Sequence, residues 1–73
     1  VVMFRFEHDG CLMYFVGLHK VVIKQYNNGE IFINIFNDTK DKDKPTVIVR
    51  CREYKIINKS EDLEIKEYLN GME

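Results

Sequence analysis

Two short turns constrain this chain most: Asp9-Gly10 and Asn28-Gly29. Each lies between runs rich in β-branched and aromatic residues, and an Asp-Gly or Asn-Gly pair in that setting is typical of a β-hairpin. A two-residue hairpin loop needs a positive φ at both central positions. Glycine adopts that conformation without steric cost, and Asn or Asp tolerates it better than other residues. The sequence therefore predicts two tight hairpins, each with a register that fixes which side chains share a face.

The first hairpin is predicted to join residues 2–7 to residues 12–18. A two-residue loop places His8 opposite Cys11, and this pair fixes the register of the rest of the hairpin. The predicted core face has Phe4, Phe6, Met13 and Phe15. The opposite face is mixed, with Arg5, Glu7, Leu12, Tyr14 and Val16.

The second hairpin is predicted to join residues 20–26 to residues 31–37, after a connection over residues 17–20. A two-residue loop opposes Tyr26 to Ile31, Lys24 to Ile33 and Val22 to Ile35. Both faces of this hairpin are then substantially apolar. That pattern is typical of a central hairpin covered on both sides, or of one that uses a face for a partner.

The next segment is predicted to be a solvated loop followed by a strand. Residues 37–45 alternate in charge sign and end in the only proline, and residues 46–51 alternate with Val47, Val49 and Cys51 on one face. The alternation slips after Cys51. Either a β-bulge near Arg52-Glu53 or two short strands with a bend between them explains the slip.

The C-terminal segment is predicted to be a helix over residues 58–69. Asn58 and Glu61 fit a capping box, and Gly71 is suited to end the helix. The alternation of Leu63 and Ile65 leaves a final strand as the alternative. The expected fold class is α+β: one small domain over residues 1–73, with an antiparallel sheet of about five strands, made of two tight hairpins and a bulged strand, and one C-terminal helix. The sheet is free to curl toward a partial barrel.

Composition makes several function classes less favoured without excluding nucleic-acid binding. The net charge is −1 and the pI is about 6.1, so no basic excess indicates a nucleic-acid module. No stretch approaches the roughly 20 apolar residues of a membrane span, and no signal peptide is visible, so we expect a cytoplasmic protein without a membrane partner. The heavy use of Lys, Asn and Ile is typical of an AT-rich bacterial or phage genome.

No chemical motif accompanies the turns. Cys11 and Cys51 are expected to be reduced thiols, with a disulfide between them as the alternative. His8, Cys11 and Cys51, with His19, resemble zinc ligands only in residue type, because nothing in their spacing brings four of them together. We therefore expect no metal, no cofactor and no enzymatic activity.

Protein binding is the first functional hypothesis. A small sheet with apolar residues on both faces has surplus apolar surface, and exposed strand edges offer main-chain pairing. The predicted function is a small non-enzymatic protein-binding module, such as an inhibitor, adaptor or regulatory subunit. Its partner is a larger protein or a second copy in a homodimer. The predicted anchors are Tyr14, Tyr26, Ile31, Ile33 and Arg50.

Nucleic-acid binding is the alternative hypothesis. Basic side chains interleaved with aromatic ones would let a sheet face neutralise phosphates and stack bases. The predicted residues for this function are Lys24, Tyr26, Arg50 and Arg52.

Overall fold

The computed structural model of the chain describes residues 2–37 and 44–69, and these residues form strands and no helix. The seven strands are β1 (Met3–His8), β2 (Cys11–Val16), β3 (Leu18–Gln25), β4 (Ile31–Asn37), β5 (Val47–Cys51), β6 (Tyr54–Lys59) and β7 (Glu64–Tyr68). They build a three-stranded sheet in the order β2-β1-β6 and a four-stranded sheet in the order β5-β4-β3-β7. The α+β class predicted from the sequence is wrong, as is its single sheet of five strands.

The two sheets share one hydrophobic core, and the chain passes between them at three short connections, of which residues 60–63, between β6 and β7, are the last. Gly17, with a φ of 74°, joins β2 to β3. Arg52 and Glu53 join β5 to β6. Side chains alternate along each strand, so one face of each sheet turns inward. The buried residues are Phe4, Phe6, Leu18, Val21, Ile23, Ile31, Ile33, Ile35, Val49, Cys51 and Leu63.

The first hairpin has the predicted register. Asp9 and Gly10 both have positive φ, at 48° and 84°, as a two-residue loop requires. His8 opposes Cys11, and Phe6 opposes Met13. The predicted core face is therefore correct, with its two phenylalanines of β1 fully buried.

The second hairpin differs from the prediction by one residue. Gln25 opposes Ile31 and Ile23 opposes Ile33, whereas the predicted partner of Ile33 was Lys24. The loop has three residues: Tyr26 N donates to Glu30 O at 2.9 Å, and Gly29 N donates to Tyr26 O at 3.1 Å. A one-residue slip exchanges the two faces of a strand. The isoleucines of β4 therefore face the core together with Ile23.

The structure decides between a β-bulge and a bend at residues 52–53. The chain leaves the four-stranded sheet at Cys51 and enters the other sheet at Tyr54, so these are two short strands with a bend between them. Val49 and Cys51 are buried, and they share one face of β5 as the alternation predicts. The loop predicted over residues 37–45 falls largely on residues 38–43, which lie outside the described residues.

The predicted C-terminal helix is wrong. Residues 54–59 are β6, and residues 64–68 are β7, which pairs parallel with β3. Leu63 is buried and Ile65 packs on the core, as their alternation allows. Ser60 makes tertiary bonds to Met3 rather than helical ones: its Oγ accepts from Met3 N at 2.9 Å, and its N donates to Met3 O at 3.0 Å. The predicted end of the helix at Gly71 lies outside the described residues.

Candidate interaction surfaces

An apolar stripe lies on the outer face of the three-stranded sheet. Leu12, Tyr14 and Val16 alternate with inward residues along β2 and are 64%, 53% and 51% exposed. We call these three residues the β2 stripe. The Arg5 guanidinium carbon lies 5.3 Å from the Tyr14 ring centroid, so a cation lies beside the middle residue of this stripe. Exposed apolar groups arranged contiguously are typical of an interaction surface.

The strand that carries the stripe is an edge strand. Among the described residues β2 pairs only with β1, so its other side presents main-chain groups without a strand partner. Its sequence, CLMYFV, contains no charged residue and no proline. Natural edge strands usually carry charges, prolines or bulges that prevent further pairing. β2 has none of these side-chain protections over its length.

A second surface covers the outer face of the four-stranded sheet. We call it the basic-aromatic face and define it by Lys20, Lys24, Phe32, Phe36 and Arg50. Lys20 Nζ lies 4.8 Å from the Phe36 ring centroid. Phe32 opposes Lys24 on one side and Arg50 on the other. Phe32 thus has a cation on each side and Phe36 has one, an arrangement suited to phosphates and stacked bases.

Carboxylates reduce the positive charge of this face. Arg50 Nη2 donates to Glu30 Oε2, and this hydrogen bond is the main reason that the pKa of Glu30 lies below its usual value. Lys66 Nζ lies 3.6 Å from Glu64 Oε2 at the β7 edge. Arg50 nevertheless remains largely exposed, since its side chain is 68% accessible.

Loops at one end of the molecule are tied together by Asp9. Its carboxylate oxygens accept hydrogen bonds from the main-chain N of Arg52, at 3.1 and 3.2 Å, and of Glu53, at 3.2 Å. Asp9 N also donates to Glu53 O at 3.2 Å. A shallow open cleft lies beside this junction, lined by Glu7, Asp9, Gly10, Glu53, Tyr54 and Lys55. Because the Asp9 carboxylate is engaged by the main chain, it serves as a structural tie.

The structure divides the predicted protein-binding anchors into two groups. Tyr14 is exposed on β2, Tyr26 lies at the surface of the second loop, and Arg50 is exposed on β5. Ile31 and Ile33 are buried, with Ile33 at 0% exposure. A partner cannot reach these two isoleucines in the folded chain, because the second hairpin turns them inward.

Three of the four predicted nucleic-acid residues lie close together. Lys24 and Arg50 flank Phe32, and the Tyr26 ring packs edge-on against the Phe32 ring at 5.5 Å between centroids. Arg52 lies at the corner between the sheets, and its guanidinium approaches the second loop near Gly29.

Sequence reasoning missed several surface residues. Leu12 and Val16 were assigned to the correct face of the first hairpin, but the sequence contains no indication that β2 is an edge strand. Phe32 was placed opposite the face of Lys24 because of the one-residue register difference. A three-residue loop at Asn28-Gly29 would have placed both on one face.

The thiols and imidazoles do not form a metal site. The described residues contain no group of three or more His, Cys, Asp or Glu arranged to hold a metal ion. His8 Nε2 contacts Met13 Sδ at 3.0 Å, while Cys11 is exposed and Cys51 is buried. Burial raises the pKa of the Cys51 thiol, the opposite of what an activated thiolate requires.

Tyr54 has the largest pKa shift among the described groups. Burial and a hydrogen bond from its Oη to Glu67 Oε2, at 2.6 Å, raise the pKa of Tyr54 to about 12. The phenol thus stays protonated near neutral pH and joins β6 of one sheet to β7 of the other. The contact therefore has a structural role, because it connects the two sheets.

Comparisons with protein-family models, with curated proteins and with solved structures gave no match to this chain. Within residues 2–37 and 44–69 there is no helix with the length and apolar character needed to cross a membrane.

Proposed function

We propose that this chain is a small non-enzymatic protein-binding module that acts through β2. The observation that carries the proposal is the β2 stripe: Leu12, Tyr14 and Val16 are more than half exposed on an uncharged edge strand. A partner can bury these side chains and pair with the strand's main chain in the same contact. Tyrosine at the centre of such a patch is a frequent binding hot spot.

The second sheet provides an internal control for this proposal. Ile48 is 58% exposed on β5, which is one of the two edge strands of the four-stranded sheet. It is as exposed as the members of the β2 stripe but is flanked on its strand by Arg50. Substitution at Ile48 thus tests exposed apolar area in general, whereas substitution at Tyr14 tests the stripe.

Capture from an extract of the source organism tests the proposal. The immobilised chain is compared with its Tyr14→Glu and Ile48→Glu variants, and retained proteins are identified by mass spectrometry. Tyr14→Glu places a carboxylate opposite Arg5, which favours a folded variant. We expect a protein retained by the original chain and by Ile48→Glu to be lost with Tyr14→Glu. Identical retention by all three, or retention of no protein, would contradict the proposal.

Single-stranded nucleic-acid binding is a second candidate, supported by the basic-aromatic face. Lys24 and Arg50 flank Phe32, and Lys20 lies over Phe36. Cations on β3 and β5 therefore lie beside aromatic rings on β4. Base–aromatic stacking contributes about 1–3 kcal/mol per base, and phosphate contacts make binding depend steeply on salt.

Fluorescence anisotropy with mixed-sequence single-stranded and double-stranded DNA and RNA tests this candidate at low and physiological salt. Arg50→Glu is expected to weaken binding at least tenfold, because it replaces an attraction to phosphate with a repulsion. Lys55→Glu is the matched control, since Lys55 is an exposed cation on the other sheet. Equal effects of the two variants, or no binding at low salt, would exclude the basic-aromatic face as a nucleic-acid site.

The cytoplasm is the compartment that we propose for this module. Cys11 and Cys51 are both free thiols in the structure, and Cys11 is exposed. A reducing compartment keeps such thiols in this form.

A further inference from the structure

The main-chain groups at the free side of β2 belong to the residues of the β2 stripe. Gly17 N donates to Val2 O at 2.7 Å, so this pair of the β1–β2 ladder is hydrogen-bonded. Bonded and non-bonded pairs alternate along an antiparallel ladder. Leu12, Tyr14 and Val16 therefore occupy the non-bonded positions opposite β1. Their N–H and C=O groups point away from β1, toward the open edge.

From this arrangement we infer that β2 binds a second copy of this chain, antiparallel, about a two-fold axis at Tyr14. The inference rests on the proposed function and names its partner. With the axis at Tyr14, the pairs across the edge are Tyr14 with Tyr14 of the second copy, and Leu12 with Val16 of the second copy. Both kinds of pair join residues whose main-chain groups face the edge, so each exchanges two hydrogen bonds.

The side chains match in this register as well as the main chain. Directly opposed residues of an antiparallel pair lie on the same face. Leu12 therefore meets Val16 of the second copy on the outer face, and Met13 meets Phe15 of the second copy on the inner face. Met13 and Phe15 are only partly buried in one copy, where they pack at the margin of the core. Pairing extends that core across the axis.

Other registers between the two copies pair fewer of the main-chain groups at the edge of β2. An axis at Met13 opposes Leu12 to Tyr14 and leaves Val16 beyond the paired region. An axis between two residues opposes an outward side chain to an inward one, which the pleat does not allow. The axis at Tyr14 is thus the one that uses all three edge-facing residues.

Charge and size favour a second copy as the occupant. Cys11–Val16 carries no charge, so two copies approach without repulsion and no oppositely charged partner is specified. A chain of 73 residues has a small core, and self-association is a common source of added stability at this size. Two-fold symmetric dimers are also the commonest soluble oligomers.

Sedimentation equilibrium of variants that carry opposite charges at position 14 tests the inference. We expect the original chain and Ile48→Glu to be dimers, and Tyr14→Glu and Tyr14→Lys each to be monomers, since like charges then meet on the axis. Mixing the two Tyr14 variants should restore a dimer that contains one of each, because opposite charges then face each other. This rescue separates loss of an interface from loss of the fold.

Disulfide trapping measures the register. Tyr14→Cys in a Cys11→Ser background should form a covalent dimer when diamide is added as the oxidant. Opposed Cα atoms in a bonded antiparallel pair are about 5.5 Å apart, within the range that a disulfide spans. Ile48→Cys in the same background is the control and should stay monomeric.

The outcomes separate this inference from the proposed function. A chain that is monomeric up to about 1 mM, where even weak association is detectable, overturns the second copy as partner. Capture of another protein that still depends on Tyr14 would then leave the proposed function standing. A dimer that persists in both Tyr14 variants, or trapping that fails at Tyr14, would place the interface elsewhere and also overturn the inference.

Discussion

The two glycine hairpins have nearly the same turn sequence but different loops. Asp9-Gly10 forms a two-residue loop with positive φ at both positions, whereas only Gly29 has positive φ in the loop of the second hairpin. The side chains explain the difference. The Asp9 carboxylate reaches the main chain of Arg52 and Glu53, more than 40 residues away in sequence. Asn28 Oδ1 instead accepts from Glu30 N at 3.0 Å, within its own loop.

This difference decides the surfaces of the molecule. The tertiary bonds of Asp9 stabilise the left-handed conformation that a two-residue loop needs. The local bond of Asn28 suits a turn followed by a left-handed glycine, which adds one residue to the loop. The loop is therefore closed by Tyr26 and Glu30, and this closing pair places Lys24 beside Phe32 rather than beside Ile33. The closing pair of the second loop thus determines which residues form the basic-aromatic face.

The largest expected effect comes from removing the tertiary bonds of the first turn. Asp9→Ala should lower the free energy of unfolding by about 2–3 kcal/mol, because it removes charge-assisted bonds and places alanine in a left-handed conformation. Asn28→Ala, the matched change in the second loop, should lower it by only about 0.5 kcal/mol. Urea denaturation measures both values. Equal losses would show that the tertiary bonds do not distinguish the two turns.

Glycine substitution tests whether the two loops need glycine equally. Gly10→Ala and Gly29→Ala should each lower the free energy of unfolding by about 1 kcal/mol, since both residues have positive φ. A Cβ at Gly10 meets nothing within 4 Å, and one at Gly29 lies 3.4 Å from Arg52 Nη1, the end of a flexible side chain. Thermal unfolding compares the two variants. A much larger loss at Gly29 would show that Arg52 is held rigidly against the second loop.

The first hairpin could be predicted from sequence because its register follows from a loop of known length. The second could not, because two-residue and three-residue loops share the Asn-Gly sequence and differ in a hydrogen bond that the sequence does not display. The face that contains the β2 stripe was predicted with its residues. Its exposure depends on sheet order, which long-range pairing decides.

The C-terminal error has a related cause. The helix was predicted from a capping box at Asn58 and Glu61, which is a local signal, and local preference for a helix is weak. The edge of β3 offers parallel main-chain pairing to residues 64–68, and Leu63 and Ile65 gain burial there. Tertiary pairing therefore overrides local propensity. Only the alternation of Leu63 and Ile65 pointed to this result in the sequence.

Shortening the second loop by one residue should convert it into a two-residue loop like that of the first hairpin. Deletion of Asn27 keeps the Tyr26–Glu30 closing pair and leaves Asn28-Gly29 as a two-residue loop. The register, and with it the neighbours of Lys24, should be unchanged, with a change in unfolding free energy of less than about 1 kcal/mol. NMR cross-strand contacts between Lys24 and Phe32 measure the register. Loss of these contacts would mean that Tyr26 and Glu30 do not close the shortened loop and that the register has moved.

The smallest expected effect concerns the ion pair that follows the second loop. The hydrogen bond from Arg50 holds the pKa of Glu30 below its usual value of 4.5, so the folded chain binds this proton less readily than the unfolded chain. The pair therefore stabilises the fold above pH 4.5 and loses that contribution as the pH falls through the lowered pKa of the folded state. Unfolding curves of the original chain and of Glu30→Gln should differ slightly at neutral pH and converge in acid. A constant difference across this range would show that the ion pair does not stabilise the second hairpin, leaving its register to the loop bonds and to the buried isoleucines.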